Sequence, residues 1–295
     1  MSKAKIFVIY HTQGQVVKSD VYQPICVGNN KKNFDPKVFL RDDTGENIAK
    51  LNATYNELTA IYWVYKHLKE FDDIEYVGFS HYRRLFCFYL NDKKSYVKRK
   101  VNTDMIVTNE LELESIFKEY DLVAPCPMRY RSVKHHYDQT HNKHDINTLL
   151  DVIKEKHEKY YDAALDYFMN DGEFLYNMFI FKKEDFIEYC EFIFPLVKEF
   201  LDRSPNRYRL FVSERITGVF ITHLLNKGFK PLYLPVLQVR RKNLKEGRLL
   251  TRNNFKNDKE GSFLFKIKPL ALVFMPRHIE QAYRRKISKW KSTTT

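Results

Sequence analysis

Glycine and proline are scarce. Nine glycines and ten prolines in 295 residues are too few for a collagen-like chain or a linker-rich array. The four cysteines, Cys26, Cys87, Cys126 and Cys190, lie far apart and form no C-x-x-C pair. That spacing argues against a zinc or disulfide framework and for reduced thiols in the cytoplasm. No run of about 18 apolar residues occurs, which excludes a spanning helix. The opening MSKAKIFVIYHT lacks the small-residue cleavage site of a signal peptide. The expected location is cytoplasmic. Walker-type loops, G-x-G-x-x-G and G-x-S-x-G are all missing. So is an Asp-x-Asp after a strand, since Asp42-Asp43 and Asp72-Asp73 are adjacent pairs in polar stretches. This argues against a divalent metal (magnesium or manganese) held by carboxylates.

Apolar residues make up 44% of the chain and aromatic ones 15%. That is too much buried-type surface for a disordered chain, and the length suits one large domain or one domain with an appendage. The net charge of +13 is unevenly spread. Residues 237–295 hold sixteen of the 50 basic and four of the 37 acidic side chains, a net of +12. The first 236 residues carry only +1. Such asymmetry suggests a body with ordinary electrostatics and an appended surface for an anionic partner.

The body reads as alternating strands and helices. Residues 5–10 (KIFVIY) form a buried strand. A second apolar segment at 21–28 contains Pro24, which marks its start as an edge or a loop. Residues 52–70 form the clearest helix, with Leu58, Ile61, Tyr62, Tyr65 and Leu68 on one stripe; Asn52 or Thr54 is the expected cap, and Glu57 sits three residues after Thr54, as in a capping box. Strands follow at 74–80 and 121–125, with a helix at 112–120 between them. The polar stretch 129–147, with His135, His136, His141 and His144, reads as a loop over the site. Its His spacing matches no zinc signature. A helix is expected at 146–167, an inner strand at 173–181, helices at 183–201 and 213–225, and a last strand at 231–239. This order indicates an α/β domain with a central mixed sheet flanked by helices.

Three constellations could do chemistry. His81-Tyr82-Arg83-Arg84 falls at the carboxyl end of a strand, where open α/β sheets bind ligands. Guanidinium groups there suit phosphate oxygens, although a solvated turn would look the same. Asn177 lies among aromatics in EFLYNMFIF. Buried, it must be hydrogen-bonded, either structurally or to a sugar hydroxyl. Glu214, after the expected cap Ser213, opens a helix. It complements the helix dipole, or it serves as a general base if it faces a cleft.

The run GENIA-x-LN-xx-YNELTAIYWVYK (45–66), then YVGFSHYRR (76–84), resembles a bacterial family catalogued as domain of unknown function 4422, found in capsule and exopolysaccharide clusters. His11-Thr12, the Y-x-P-I-x-V-G at 22–28, YNMFI at 176–180 and SER at 213–215 extend the resemblance over residues 5–239. It implies a GT-A-like glycosyltransferase, with some relatives moving galactofuranose from a UDP-linked donor. The implied donor and diphosphate residues are His11, Thr12, Gly28, His81, Tyr82, Arg83 and Arg84. Asn177, Met178, Ser213, Arg215, His141 and His144 would contact the donor or acceptor sugar, and Glu214 would be the base of an inverting displacement. The position that usually carries Asp-x-Asp falls on 80–83, so side-chain donors would stand in for a metal bridge.

The remaining segment, 240–295, is expected as a basic, amphipathic helical extension. Its 262–290 portion mixes Phe, Leu, Ile and Trp with Lys and Arg. Such a segment can lie on the anionic inner face of the membrane, beside a lipid-linked glycan acceptor. The alternative is a terminal helix packed on the domain. Two rival classes are a nucleic-acid-binding protein, which the near-neutral body and the lack of a nucleic-acid motif oppose, and a non-catalytic assembly scaffold.

Overall fold

The computed structural model describes residues 3–17, 19–29, 31–71, 73–89, 96–98, 106–204 and 210–239. The expected basic extension, 240–295, lies outside the described residues.

The chain opens with β1 (Ala4–Tyr10), β2 (Tyr22–Cys26) and β3 (Leu40–Arg41). Helices α1 (Asn52–Tyr55) and α2 (Leu58–Lys66) lead into β4 (Tyr76–His81), β5 (Arg84–Phe86) and β6 (Tyr96–Lys98). Then come α3 (Glu110–Glu119), β7 (Leu122–Pro125) and β8 (Met128–Arg129). Helices α4 (Val133–Thr140), α5 (Asp145–Lys156) and α6 (Tyr161–Met169) follow. The chain continues through β9 (Gly172–Glu173), β10 (Phe179–Lys182), α7 (Lys183–Arg203) and α8 (Ser213–Asn226). It reaches β11 (Pro231–Leu234) and β12 (Val236–Val239) last.

The main sheet runs β11-β7-β10-β4-β1-β2-β3, with β5, β6 and β12 attached beside β4. Strands β4, β1, β2 and β3 are parallel to one another, and β10 runs antiparallel between β4 and β7. Side chains alternate across this sheet with the period of two that strands impose. Phe7, Ile9, Val77, Phe79, Phe179 and Phe181 face one core with α2 and helices α5 to α8. Ile6, Val8, Tyr10, Met178 and Ile180 face a second core with β5, β12 and α3. Both faces are thus buried, which is why these strands read as near-continuous apolar runs. Each fully buried Phe contributes roughly 1.5–3 kcal/mol. By the same alternation His81 follows Phe79 toward the helical face.

Several expected elements are divided. The single helix over 52–70 is broken where Asn56 takes a left-handed φ of 51°. The Thr54–Glu57 capping box is absent, because Glu57 precedes α2 without a side-chain cap bond. Residues 146–167 are two helices, parted where His157 leaves helical geometry. The strand expected over 173–181 is two strands in two sheets, since Tyr176 (φ 81°) and Asn177 (φ 48°) turn the chain sharply between them. Part of the polar stretch 129–147 is α4 rather than a loop: Ser132 caps it by accepting from the His135 N–H at 3.1 Å. At the end, Pro235 separates β11 from β12. Pro24 sits within β2, opposite Val8 of β1, and β3 begins only beside Ile25. Its missing N–H therefore falls where the far side of β2 is unpaired, so the edge reading holds for half the strand.

Candidate active site

The carboxyl ends of β1, β2 and β4 meet the amino ends of α2 and α8 and the turn entering β10. Position 177 sets this junction. Asn177 is 1% exposed and left-handed, a conformation that costs a non-glycine residue on the order of 1–3 kcal/mol. Its amide makes three bonds that hold it there. Nδ2 donates to Glu57 Oε1 at 2.7 Å and to Ser213 Oγ at 3.2 Å, and Oδ1 accepts from Thr217 Oγ1 at 2.6 Å. Tyr189 OH lies 2.8 Å behind Thr217 Oγ1. One residue earlier, the Tyr176 carbonyl accepts from His81 Nε2. A two-residue turn thus ties the end of β4 to the first residues of two helices.

The titratable groups share this junction. Glu214, in the first turn of α8, keeps 27% of its side-chain surface open. Burial raises its pKa and the nearby Glu57 charge raises it further, while Arg215, Arg84 and His81 pull the other way. Burial also raises Glu57, against the bonds from its own N–H and from Asn177. His81 is lowered to about 4, by burial first and Arg84 second. Its ring is therefore neutral at pH 7, and its Nε2 proton is committed to Tyr176. Positive charge at the rim comes from the guanidinium groups. Arg84 opens β5 and stacks its guanidinium 4.4 Å from the Tyr176 ring centre, which Gln238 steadies through a 3.0 Å bond to the phenol.

Tyr82 takes the other face of the sheet. It is buried on Tyr10, approaches His11 Nε2 at 3.3 Å, and carries Arg83 4.9 Å from its ring centre. His81 with Arg84, and His11 with Tyr82 and Arg83, are two neighbouring groups at one strand end. Thr12 is exposed just past β1. Gly28 has a left-handed φ of 78°, and a Cβ there would lie 3.1 Å from Asn52 Oδ1. Met178 is buried in the second core and faces away from Asn177.

Arg215 points into an ionic cluster. Its Nε lies 2.7 Å from Glu173 Oε1, off the direction of its N–H, and Glu173 Oε2 lies 2.5 Å from His136 Nδ1. Arg215 Nη1 also reaches the Phe211 carbonyl and Glu214 Oε2, at 3.1 and 3.3 Å. Ser213 is not the cap expected of it. It lies inside α8, where its hydroxyl donates to the Leu210 carbonyl and accepts from Asn177. His141 stacks on Phe211 beside Arg215. His144 is exposed before α5, and among the described residues it makes no hydrogen bond or ion pair with this group.

Sequence reasoning gave no site role to Glu57, Glu173 or Tyr176, and placed His136 only within a loop over the site. Glu57 read as a capping residue and Glu173 as the start of a strand; only their contacts with Asn177 and Arg215 reveal them. Among the described residues no group of three or more His, Cys, Asp or Glu side chains is arranged around a common metal position. The end of β4 and the start of β5 carry Arg83 and Arg84, whose guanidinium groups are not ligands for a divalent cation.

The profile described as Domain of unknown function (DUF4422) matches residues 5–227. The chain belongs to the DUF4422 family. Its fold matches the apo structure of the WbbM bifunctional glycosyltransferase with a TM-score of 0.69 at 22% identity. The match covers 81% of this DUF4422 chain and 45% of that one, so the chain spans less than half of that enzyme's length. The central mixed sheet flanked by helices is thus shared with that glycosyltransferase. The mannosyltransferase Ktr4p from S. cerevisiae aligns over 74% of this chain and 66% of its own at a TM-score of 0.31 and 10% identity, too distant to inform the site. No curated protein matches.

Proposed function

We propose that this chain is a glycosyltransferase that moves a hexosyl unit, galactofuranose by family resemblance, from a UDP-sugar to a growing bacterial surface glycan. The observation that carries the reading is the arrangement at one sheet end. A carboxylate with raised pKa, Glu214, lies near a neutral His81 and Arg84 in a fold shared with a glycosyltransferase, and the family resemblance makes that fold GT-A-like.

In a single displacement the acceptor hydroxyl gives its proton to Glu214 and its oxygen bonds to the anomeric carbon. The bond from that carbon to the diphosphate breaks, and UDP leaves with the electron pair. A raised pKa suits a base that must take a proton near neutrality. Arg83 and Arg84 stabilise the charge developing on the leaving diphosphate, fixed donors aimed where charge appears. His11, Tyr82 and Gly28 line the nucleotide side. Asn177 orients Ser213 and Glu57 around the sugars.

The basic segment 240–295 supports a peripheral location on an anionic membrane face, near a lipid-linked acceptor. Seven Lys and Arg in 266–289 would each contribute roughly 1 kcal/mol there. Deleting residues after 262 should abolish binding to anionic liposomes. Among the described residues no helix is long and apolar enough to cross a membrane. A thermal-shift screen of the full chain tests the donor reading. Stabilisation by UDP supports it, and stabilisation by oligonucleotides alone would favour a nucleic-acid-binding protein. Response to neither would favour a scaffold.

A further inference from the structure

Beside Glu214 lies an aromatic wall that no step above uses. Phe211 keeps 40% of its surface exposed, three residues before Glu214. One face of its ring stacks on His141, with centres 4.6 Å apart and planes 17° from parallel. His141 leans on Tyr137 in turn, at 4.7 Å. Tyr130, half-buried, stacks on His136 at 3.7 Å and 7°. Both stacks are anchored on the same ion cluster. His136 meets Glu173, Glu173 meets Arg215, and Arg215 reaches the Phe211 carbonyl, Glu214 and the Tyr137 ring.

The wall thus offers exposed aromatic surface next to a carboxylate. We infer that Phe211, His141 and Tyr130 form the acceptor-sugar subsite, a platform that takes the C–H face of a sugar ring and presents one of its hydroxyls to Glu214. The inference rests on the glycosyltransferase reading and names the acceptor side of that site. The ligand class follows from the surface itself. A sugar ring offers an apolar C–H face and a rim of hydroxyls. The wall offers aromatic faces with imidazole nitrogens and a phenol at their edges. His141, lowered to about 4 by burial and by Arg215, is neutral at pH 7 and can both donate to and accept from hydroxyls.

The test uses the full chain and two separate probes. Saturation-transfer difference NMR with octyl β-galactopyranoside, β-glucopyranoside and α-mannopyranoside reads the platform. Thermal shift with UDP reads the donor side. At least one glycoside should receive saturation mainly on one C–H face. Phe211→Ala and Tyr130→Ala should each weaken that binding roughly five-fold, the loss of one stacked aromatic contact. Phe211→Tyr should retain it, and the UDP shift should be unchanged in all three. If no glycoside binds the wild-type protein, or if Phe211→Ala binds as well as wild type while remaining folded, the platform assignment is overturned. A failure of UDP to stabilise the wild type counts against the donor reading instead, so the two ideas fail separately.

Discussion

Asn177 Nδ2 donates to Glu57 Oε1 at 2.7 Å from a residue held in left-handed geometry. That one amide joins the amino ends of α2 and α8, one residue after the carbonyl that His81 bonds. Replacing Asn177 by Ala removes three buried bonds and keeps the strained φ. A stability loss of about 2–4 kcal/mol is expected in urea unfolding. Asn177→Gly relieves the φ cost and should lose less. Equal losses would mean the backbone conformation is unstrained.

Glu57→Gln keeps an acceptor for Asn177 but removes a negative charge that raises Glu214. The pKa of Glu214 should fall, and the acid limb of the pH–rate profile should move to lower pH. The profile of the variant against wild type, at saturating substrates, checks this. An unmoved limb would show that the two carboxyls do not communicate.

Acidification should destabilise the fold. His81 and His141 are both lowered to about 4 in the folded protein, while the unfolded chain holds them near 6.5. Between those values the unfolded state binds more protons, so stability present at pH 7 drains away as pH falls below 6.5. At pH 5 each ring contributes up to about 2 kcal/mol, less whatever solvent screening removes. His157 and His223 are lowered as well, and act in the same direction. Glu57, Glu214 and Asp185, all raised by burial, oppose it in part. A net loss of about 2 kcal/mol between pH 7 and pH 5 corresponds to a fall in Tm of roughly 4–8 °C. His81→Asn should shrink that fall.

Gly218 lets α8 close on α6. A Cβ built there would land within the Tyr167 ring, and Tyr167 OH accepts from the Phe174 N–H at 3.2 Å, just before the turn that carries Asn177. Gly218→Ala should cost about 1–3 kcal/mol by overpacking. It should also reduce transfer more than it reduces UDP binding, measured side by side. Loss of stability with an intact rate would detach α8 position from catalysis.

Much of the strand-and-helix order was legible because burial on both sheet faces leaves long apolar runs, as in 5–10. His81 to Arg84 could be placed at a strand end because that run stops sharply at polar residues. The breaks were harder to see. Asn56, Tyr176 and Asn177 take positive φ with no glycine to announce it, and the bonds that sustain them come from residues up to 120 positions away. Glu57 was hidden for the same reason. A carboxylate before a helix normally caps it, and only the turn at 176–177 draws this one away. Of the four histidines in 129–147, the sequence could not separate His136 and His141, which reach the Arg215 cluster, from His144, which does not.

The proposed base is best tested by steady-state transfer with Glu214→Gln, read together with the UDP-induced thermal shift and the anomeric configuration of the product. A fall in kcat of about 10²–10⁴-fold is expected, with the UDP shift unchanged and an inverted product from the wild type. Full activity in Glu214→Gln would contradict the account.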